Sequence, residues 1–247
     1  MEAEELLKMV TPLTNGVIVA ILIGIITLIL LLYLLLRGST SKRPNILLTG
    51  LCDSGKTLLF TQLTQNAFRL THTSMQENHG VVKIKGTDVA IVDLPGHDRK
   101  RQQLFEKYSC TARGIVFLID STTVVKELKD VAEYLYTLLT EPDIQKAKVP
   151  VMIACNKQDV GFTKSATVIK SLLEKELNTV RKTRAGGLEG TDGSSGERCH
   201  LGNDQVDFEF DQLLPQKIDI IECSAKGRTP NGEEPEIEDI QRWLQTL

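Results

Sequence analysis

The sequence predicts an α/β fold with a mostly parallel, doubly wound sheet, preceded by a single transmembrane helix. Three observations support this prediction. Short apolar runs alternate with longer helical patterns, a glycine-rich motif joins one of these runs to a helix, and an uncharged apolar run of 20 residues lies near the start of the chain. The 247 residues are enough for one membrane helix and one substantial globular domain.

The composition gives no reason to expect a nucleic-acid-binding protein, because such proteins carry basic patches and this chain has a net charge of −3. The five cysteines are scattered along the chain and show no CxxC spacing. We therefore expect no direct nucleic-acid partner, and reduced thiols in the cytosol rather than a disulfide framework.

The predicted membrane helix covers residues 17–36, a run without charge that has the length an α-helix needs to cross a bilayer. A cleaved signal peptide is one alternative, but it would begin with basic residues and have a shorter apolar core. A buried core helix is another, but this run supplies no polar face. We expect a retained, single-pass membrane anchor.

Cations flank the predicted anchor unequally. Arg37, Lys42 and Arg43 follow it, whereas Lys8 precedes it in a segment with three glutamates. The positive-inside rule then places the chain after the anchor in the cytosol. The predicted organisation is a short lumenal N-terminus (1–16), the membrane helix (17–36), a tether (37–44) and a soluble domain (45–247).

The soluble domain contains five continuously apolar runs, at residues 46–49, 89–92, 114–120, 149–155 and 218–223. Continuous apolar runs are typical of parallel strands that are covered on both faces. Helical patterns lie between them, over residues 56–66, 124–139, 165–179 and about 234–247, and residues 81–85 alternate like an edge strand. This βαβ order predicts a doubly wound sheet.

Residues 185–211 interrupt this order because they are rich in glycine, serine and acidic residues. Such a composition buries little apolar surface, so we expect a flexible insertion. Within it, Phe208-Glu209-Phe210 alternates and is compatible with a short strand or a docking segment.

The segment Gly50-Leu51-Cys52-Asp53-Ser54-Gly55-Lys56-Thr57 matches G-x-x-x-x-G-K-[ST] and joins a predicted strand to a predicted helix. In this context, backbone N–H groups of the loop and of the helix start, up to Leu58, surround the phosphates of a nucleotide. Lys56 is expected to contact the β- and γ-phosphates, and the Thr57 hydroxyl to bind Mg²⁺.

Two later motifs favour guanine as the base. Asn156-Lys157-Gln158-Asp159 follows one apolar run, and Ser224-Ala225-Lys226 follows the next. The Asp159 carboxylate can accept hydrogen bonds from N1–H and the exocyclic amine of guanine, whereas adenine has neither donor on that edge. The Ala225 N–H can reach guanine O6. We therefore predict that GTP or GDP binds at Asn156, Lys157, Asp159, Ser224, Ala225 and Lys226.

Asp93-Leu94-Pro95-Gly96 follows another apolar run and fits D-x-x-G. Asp93 is expected to hold Mg²⁺ through water, and the Gly96 amide to contact the γ-phosphate, so that loss of this phosphate releases the loop. His97 comes next, where it is a candidate catalytic residue that positions the attacking water. A structural role for His97 is the alternative.

The first switch segment is assigned to Thr71-His72-Thr73-Ser74, between the P-loop helix and the edge strand. A hydroxyl from this segment should complete the Mg²⁺ shell. Thr73 is the residue that we assign as a metal ligand, although Ser74 is an equal candidate on the sequence alone, and a plain polar loop is the alternative.

In this order, the P-loop, DLPGH, NKQD and SAK resemble the Ras-like P-loop GTPases, nearest to the Arf/Sar branch. The segments GLCDSGKTLLF, KDVAEYLY, ACNKQD, KSLLEKELNTVR and ECSAKG, together with the N-terminal anchor, are similar to the β subunits of the signal recognition particle receptor. The resemblance covers nearly the whole chain and weakens over residues 1–16 and 185–211.

This resemblance implies a membrane protein of the endoplasmic reticulum that binds GTP and GDP with Mg²⁺. It also implies that the GTP-bound form binds the receptor's α subunit as a heterodimer and helps ribosome–nascent-chain complexes reach the translocon. The chain departs from Ras-like proteins at Pro95 and at His97, where many members have glutamine. GTP-dependent binding, with at most slow hydrolysis, is therefore the expected output.

Two other functions are compatible with the motifs. The first is a rapidly cycling Arf/Sar-type GTPase of vesicle traffic, although those proteins usually attach by an amphipathic helix or a lipid, and a full membrane span prevents release. The second is a scaffold whose nucleotide is only structural. Multiple-turnover hydrolysis with and without partners would separate the three.

Overall fold

The computed structural model describes residues 23–28, 43–71, 74, 76–84, 86–186, 200–203, 205–228 and 234–247. Contacts divide the chain into two compact units, Met1–Lys42 and Arg43–Leu247. In the first unit, residues 23–28 are helical, and their large apolar side chains are exposed. The rest of the predicted membrane helix lies outside the described residues. Among the helices of the described ranges, none is both long and apolar enough to span a membrane.

A six-stranded sheet forms the centre of the second unit. Its strands are β1 (Asn45–Gly50), β2 (Asn78–Ile84), β3 (Thr87–Asp93), β4 (Ala112–Asp120), β5 (Val151–Asn156) and β6 (Ile218–Glu222). The spatial order is β2-β3-β1-β4-β5-β6, and only the pair β2 and β3 is antiparallel. The prediction of a mostly parallel sheet with one edge strand is confirmed.

Helices cover both faces of this sheet. In the described part of the second unit they are α1 (Lys56–Gln65), α2 (Asp98–Ser109), α3 (Leu128–Leu139), α4 (Pro142–Ala147), α5 (Ala166–Gly186) and α6 (Glu238–Leu244), with a 3₁₀ helix at Phe210–Leu213. Successive β1 side chains enter two different cores: Leu47 packs with residues of α2 to α5, whereas Ile46 and Leu48 pack with residues of α1 and α6. Two buried faces explain why the strands are continuously apolar.

Some helices differ from the sequence prediction. Helix α2 was not predicted, because it is mostly charged and buries only Phe105 and Ser109, which gives too weak an apolar period. Helix α4 was not predicted either. It is a single short helix that begins with Pro142 at its first turn and is followed by Lys148 in the left-handed conformation.

In the later part of the predicted insertion, the described residues 200–203 and 205–211 pack against the core. Phe208 and Phe210 are buried in the same core as α5. The Arg181 guanidinium, also buried, donates hydrogen bonds to three backbone carbonyls of this segment. Composition suggested flexibility for the insertion, whereas the alternation Phe208-Glu209-Phe210 left a short strand or a docking segment open. The burial of both phenylalanines is that of a docked segment. The earlier residues, 187–199, lie outside the described part of the chain.

Candidate functional site

The motifs converge at one edge of the sheet. The P-loop follows β1, D-x-x-G begins at the last residue of β3, NKQD begins at the last residue of β5, and SAK follows β6. These four strands are parallel, so their carboxyl ends lie at the same edge, where open α/β sheets bind ligands. The sheet topology therefore brings together motifs that are far apart in the sequence.

At two positions of the P-loop, the surrounding atoms and the backbone conformation require glycine. Gly50 has φ 143°, and a Cβ there would lie 2.3 Å from the carbonyl oxygen of Leu118. Gly55 has φ 92°, and its Cβ would lie 2.3 Å from Nδ2 of Asn156. Both values of φ lie in a region that residues with a side chain rarely adopt. Any larger residue would displace the loop from β4 and β5, so these positions determine its path.

Lys56 places a buried amine at the base of this loop. Its Nζ donates hydrogen bonds to the Leu51 carbonyl and, at 3.3 Å, to Ser54 Oγ. Burial lowers the pKa of Lys56 to about 8. A nearby anion would favour the charged form of this amine again. The position is thus suited to a phosphate group.

Thr57, Ser74 and Asp93 form a cluster of oxygen atoms beside Lys56. Thr57 Oγ1 donates to Asp93 Oδ2 at 2.8 Å and lies 3.1 Å from Ser74 Oγ. Asn78 Nδ2 donates to the same Oδ2 at 3.0 Å. The other oxygen, Asp93 Oδ1, is buried and has no hydrogen-bond partner among the described residues.

This cluster fits a divalent cation. Burial raises the pKa of the Asp93 carboxyl more than the hydrogen bonds from Asn78 and Thr57 and the nearby Lys56 charge lower it, so the carboxylate is only partly compensated. Hydroxyl, carboxylate and water oxygens are the ligands that Mg²⁺ takes beside nucleotide phosphates. Ser74 stands next to Thr57, whereas Thr73 and His72 lie outside the described residues, so the assignment of Thr73 as a metal ligand stays a prediction.

Asn156 connects three of the four motifs. Its Nδ2 donates to the Ser54 carbonyl at 2.7 Å, and its Oδ1 accepts from the Ala225 N–H at 2.9 Å. The P-loop, NKQD and SAK are therefore joined through one buried side chain. Its role is to hold the loops in register, because its amide group is occupied by backbone partners.

The neighbouring carboxylates are also oriented. Ser224 Oγ donates to Asp159 Oδ1 at 2.6 Å, and Lys157 Nζ donates to Asp120 Oδ2 at 2.6 Å. Burial alone would raise the pKa of Asp120, but its hydrogen bonds from Lys157 and Thr122 outweigh this and lower the pKa. Lys157 is thereby held along the site in a left-handed backbone conformation.

A cleft of about 270 Å³ lies at this edge, and most of the predicted phosphate-binding residues line it. The lining comprises Cys52, Asp53, Gly55, Lys56, Thr57, Leu58, Thr71, Ser74, Leu94, Pro95, Gly96 and Lys157. Four other predicted residues are buried and do not line the cleft: Gly50, Ser54, Asn156 and Ala225. Leu51 lines a neighbouring cleft. Lys226 is exposed and does not line the cleft.

Gly96 and His97 occupy different environments. A Cβ at Gly96 would lie 2.7 Å from the Cys52 nitrogen and 2.8 Å from Lys56 Nζ, so the backbone at Gly96 lies directly on the P-loop. His97 is exposed and is the residue that precedes α2. The chain therefore places Gly96 at the cleft and His97 at its rim.

The sequence did not identify two residues that support this site. Asn78 begins β2, and Asp120 ends β4. The sequence did contain an indication for Asp120, because a carboxylate at the carboxyl end of a central parallel strand lies where such sheets bind ligands. The sequence contains no such indication for Asn78, because the role of Asn78 depends on the antiparallel register that places it opposite Asp93.

Comparisons with known proteins agree with this site. The family profile described as "Signal recognition particle receptor beta subunit" matches residues 41–217. The signal recognition particle receptor subunit beta of Homo sapiens is 41% identical over 241 residues, which are 96% of this chain and 88% of the human protein. The structure of the mammalian SRP receptor is 38% identical, with a TM-score of 0.68 over 82% of this chain and 98% of that chain. The SRb-GTP/SRX complex from Chaetomium thermophilum is 23% identical, with a TM-score of 0.61 over 82% and 97%.

The sheet order, the P-loop after β1 and the succession of later motifs define a protein with the fold of the Ras-like small GTPases. The similarity to the human subunit extends over nearly the whole chain, well beyond these motifs. The chain belongs to the family of signal recognition particle receptor β subunits.

Proposed function

We propose that this chain binds GTP or GDP with Mg²⁺ in the cleft, and that its GTP-bound form captures the α subunit of the signal recognition particle receptor. Through the anchor predicted at residues 17–36, it holds that subunit at the endoplasmic reticulum membrane for co-translational protein targeting. Ribosomes and the translocon would then be indirect partners.

The observation that carries this proposal is that Asp93 Oδ1 has no hydrogen-bond partner among the residues that the structure describes. A buried carboxylate oxygen without a hydrogen bond costs free energy, and a bound cation removes that cost. The residues that would hold Mg²⁺ are Thr57, Asp93 through water, and a hydroxyl of the first switch segment. When bound, the ion supplies charge neutralisation between the phosphates.

Guanine selectivity rests on Asp159. Ser224 donates to one oxygen of this carboxylate and so fixes the orientation of the group. A base without two adjacent donors would leave hydrogen-bonding capacity of this carboxylate unused beyond its bond from Ser224. The orientation supports GTP over ATP as the ligand.

Partner capture rests on the family and on the geometry of Gly96. Because Gly96 contacts the P-loop, a γ-phosphate there would fix the loop that leads into α2. The related Chaetomium thermophilum protein forms a complex with SRX in its GTP form. A surface that is ordered only by GTP gives nucleotide-dependent capture.

Catalysis is not needed for this function. His97 is exposed beside Gly96, where it can position water for slow GTP hydrolysis. Hydrolysis would end capture rather than drive it. An Arf/Sar-type cycling GTPase would instead turn over rapidly without the α subunit.

The test is capture of the α subunit's N-terminal domain by the full chain in detergent, loaded with a GTP analogue, with GDP, or without nucleotide. We expect capture by the GTP-analogue form to exceed the other two at least about tenfold, the factor that ~1.4 kcal/mol of coupling makes. Thr57→Asn removes a Mg²⁺ ligand and should lower both GTP occupancy and capture. His97→Ala is the matched variant and should capture normally. Equal capture in all three states would refute nucleotide-dependent binding.

A further inference from the structure

Arg101, in α2, is a largely buried cation that neither the nucleotide motifs nor the proposed function use. Its side chain is 14% exposed, and its guanidinium carbon lies 4.1 Å from the centroid of the Tyr134 ring. It forms an ion pair with Asp98 at 3.1 Å, and Nη1 donates to the Gly96 carbonyl at 3.4 Å. A stacked guanidinium can donate in this way because its N–H groups point outward from the ring it covers.

Tyr134, the platform for this guanidinium, is itself held in place. Its ring is buried in α3 against Phe105 and Phe117, with centroids 6.4 and 5.5 Å away. Its hydroxyl is hydrogen-bonded to Thr49 Oγ1, one residue before the P-loop. The Tyr134 ring is therefore a fixed part of the core, tied to β1.

Arg101 thus connects a fixed element to a loop that is expected to move. A second cleft, of about 350 Å³, separates the P-loop from the acidic start of α3, and Arg101 and Gly96 both line it. Gly96 approaches Cys52 closely only while the D-x-x-G segment, which carries Gly96, lies against the P-loop. Arg101 holds the carbonyl of Gly96 in that position.

We propose that Arg101 is a positioning residue that holds Gly96 in the γ-phosphate-binding position by stacking on Tyr134 and bonding the Gly96 carbonyl. This inference rests on the proposed role of Gly96 as a γ-phosphate contact. Without Arg101, the loop spends a smaller fraction of time in the docked form. The apparent affinity for a triphosphate falls by that fraction, whereas a diphosphate does not need the docked loop.

The experiment measures the affinity of the full chain, in detergent with Mg²⁺, for a non-hydrolysable imido analogue of GTP and for GDP. Arg101→Ala should weaken binding of the analogue about tenfold, which converts to ~1.4 kcal/mol. Binding of GDP should stay within about twofold, which also shows that the variant is folded. Arg101→Lys keeps the charge and one donor and should recover part of the loss.

Two further variants separate positioning from general stability. Tyr134→Leu removes the ring and should lower the analogue-to-GDP affinity ratio as Arg101→Ala does, without an additive effect in the double variant. Arg184→Ala is the matched control, because Arg184 of α5 lies over the ring of Tyr136, another tyrosine of α3, at 4.9 Å and should leave the ratio unchanged.

The outcomes are distinguishable. An unchanged ratio in Arg101→Ala, or an equal loss for both nucleotides, would overturn the role of Arg101 while leaving the proposed function intact. If the unmodified chain bound neither guanine nucleotide, the proposed function would fail and this inference with it.

Discussion

At the scale of single residues, the buried amine of Lys56 makes nucleotide binding depend on pH. Burial lowers the pKa of Lys56 to about 8, so near pH 8 about half of these amines are neutral in the free protein. Phosphates favour the charged amine and raise its pKa on binding. Binding should therefore take up protons near pH 8, and affinity should fall as the pH rises above the pKa of the free protein.

Calorimetry in two buffers of different ionisation enthalpy measures this proton uptake. We expect uptake of about half a proton per nucleotide near pH 8 and little near pH 7, where Lys56 is charged in both states. Equal heats in the two buffers at the higher pH would contradict the prediction.

Asp159 determines the base by the donors that it can accept. Because Ser224 holds its carboxylate, Asp159→Asn changes the chemistry of the group with little change of shape. The amide oxygen can still accept from N1–H, but the amide NH2 group faces the exocyclic amine of guanine, donor against donor, whereas xanthine has a carbonyl oxygen there that can accept. We expect GTP affinity to fall by at least about tenfold and xanthine nucleotides to bind better, as competition binding would show. Selectivity that stays as in the unmodified chain would exclude Asp159 from base recognition.

At the scale of elements, Asn156 joins β5 to the P-loop and to SAK. In Asn156→Ala, the Ser54 carbonyl and the Ala225 N–H lose a partner in a buried region. We expect a loss of about 2–4 kcal/mol in unfolding free energy, from two buried backbone groups, and weaker nucleotide binding. Denaturant unfolding and equilibrium binding measure the two effects.

Asn45→Ala is the control for this variant. Asn45 makes one side-chain hydrogen bond, to Thr111 Oγ1, at the opposite end of β1. It should lose about 1 kcal/mol of stability and keep normal nucleotide binding. If both variants bound nucleotide equally well, Asn156 would not organise the site.

Residues 200–211 form a second element whose importance can be measured. Phe208 is 2% exposed and lies in the main core, whereas Phe162 is fully exposed. Phe208→Ala should therefore lower the free energy of unfolding by about 3–5 kcal/mol, and Phe162→Ala should change it by less than about 0.5 kcal/mol. Because no residue of this segment lines the cleft, Phe208→Ala should not alter the preference between GTP and GDP. Similar stabilities of the two variants would show that the segment is not part of the folded core.

At the scale of the whole molecule, the proposed anchor gives a topological prediction. If residues 17–36 span the membrane with the following cations in the cytosol, protease added to intact microsomes should digest residues 45–247 and spare only the anchor and its lumenal tail. Immunoblotting with an N-terminal tag, before and after detergent, follows the protected fragment. Full protection of the soluble domain would show that this domain lies on the lumenal side, opposite to the predicted orientation.

The elements that follow short-range rules were predictable. Strands covered on both faces show continuous apolar runs, which is why β1, β4 and β5 were found close to their observed bounds. Helix α2 was not, because one or two buried side chains among many charges give no period, and around Phe208 the alternation left a short strand and a docking segment equally open. Their structure depends on partners that are distant in sequence, such as Arg181 for the latter.

The sequence by itself determined the class of fold and the identity of the nucleotide motifs, because the glycines, Lys56 and Asp159 act through local backbone geometry and their own chemistry. Only the tertiary structure decided how these residues support one another. The register of β2 places Asn78 on Asp93, the end of β4 gives Lys157 its carboxylate, and the fixed Tyr134 ring receives Arg101. These contacts join positions that only the folded sheet brings together, so no spacing along the chain encodes them.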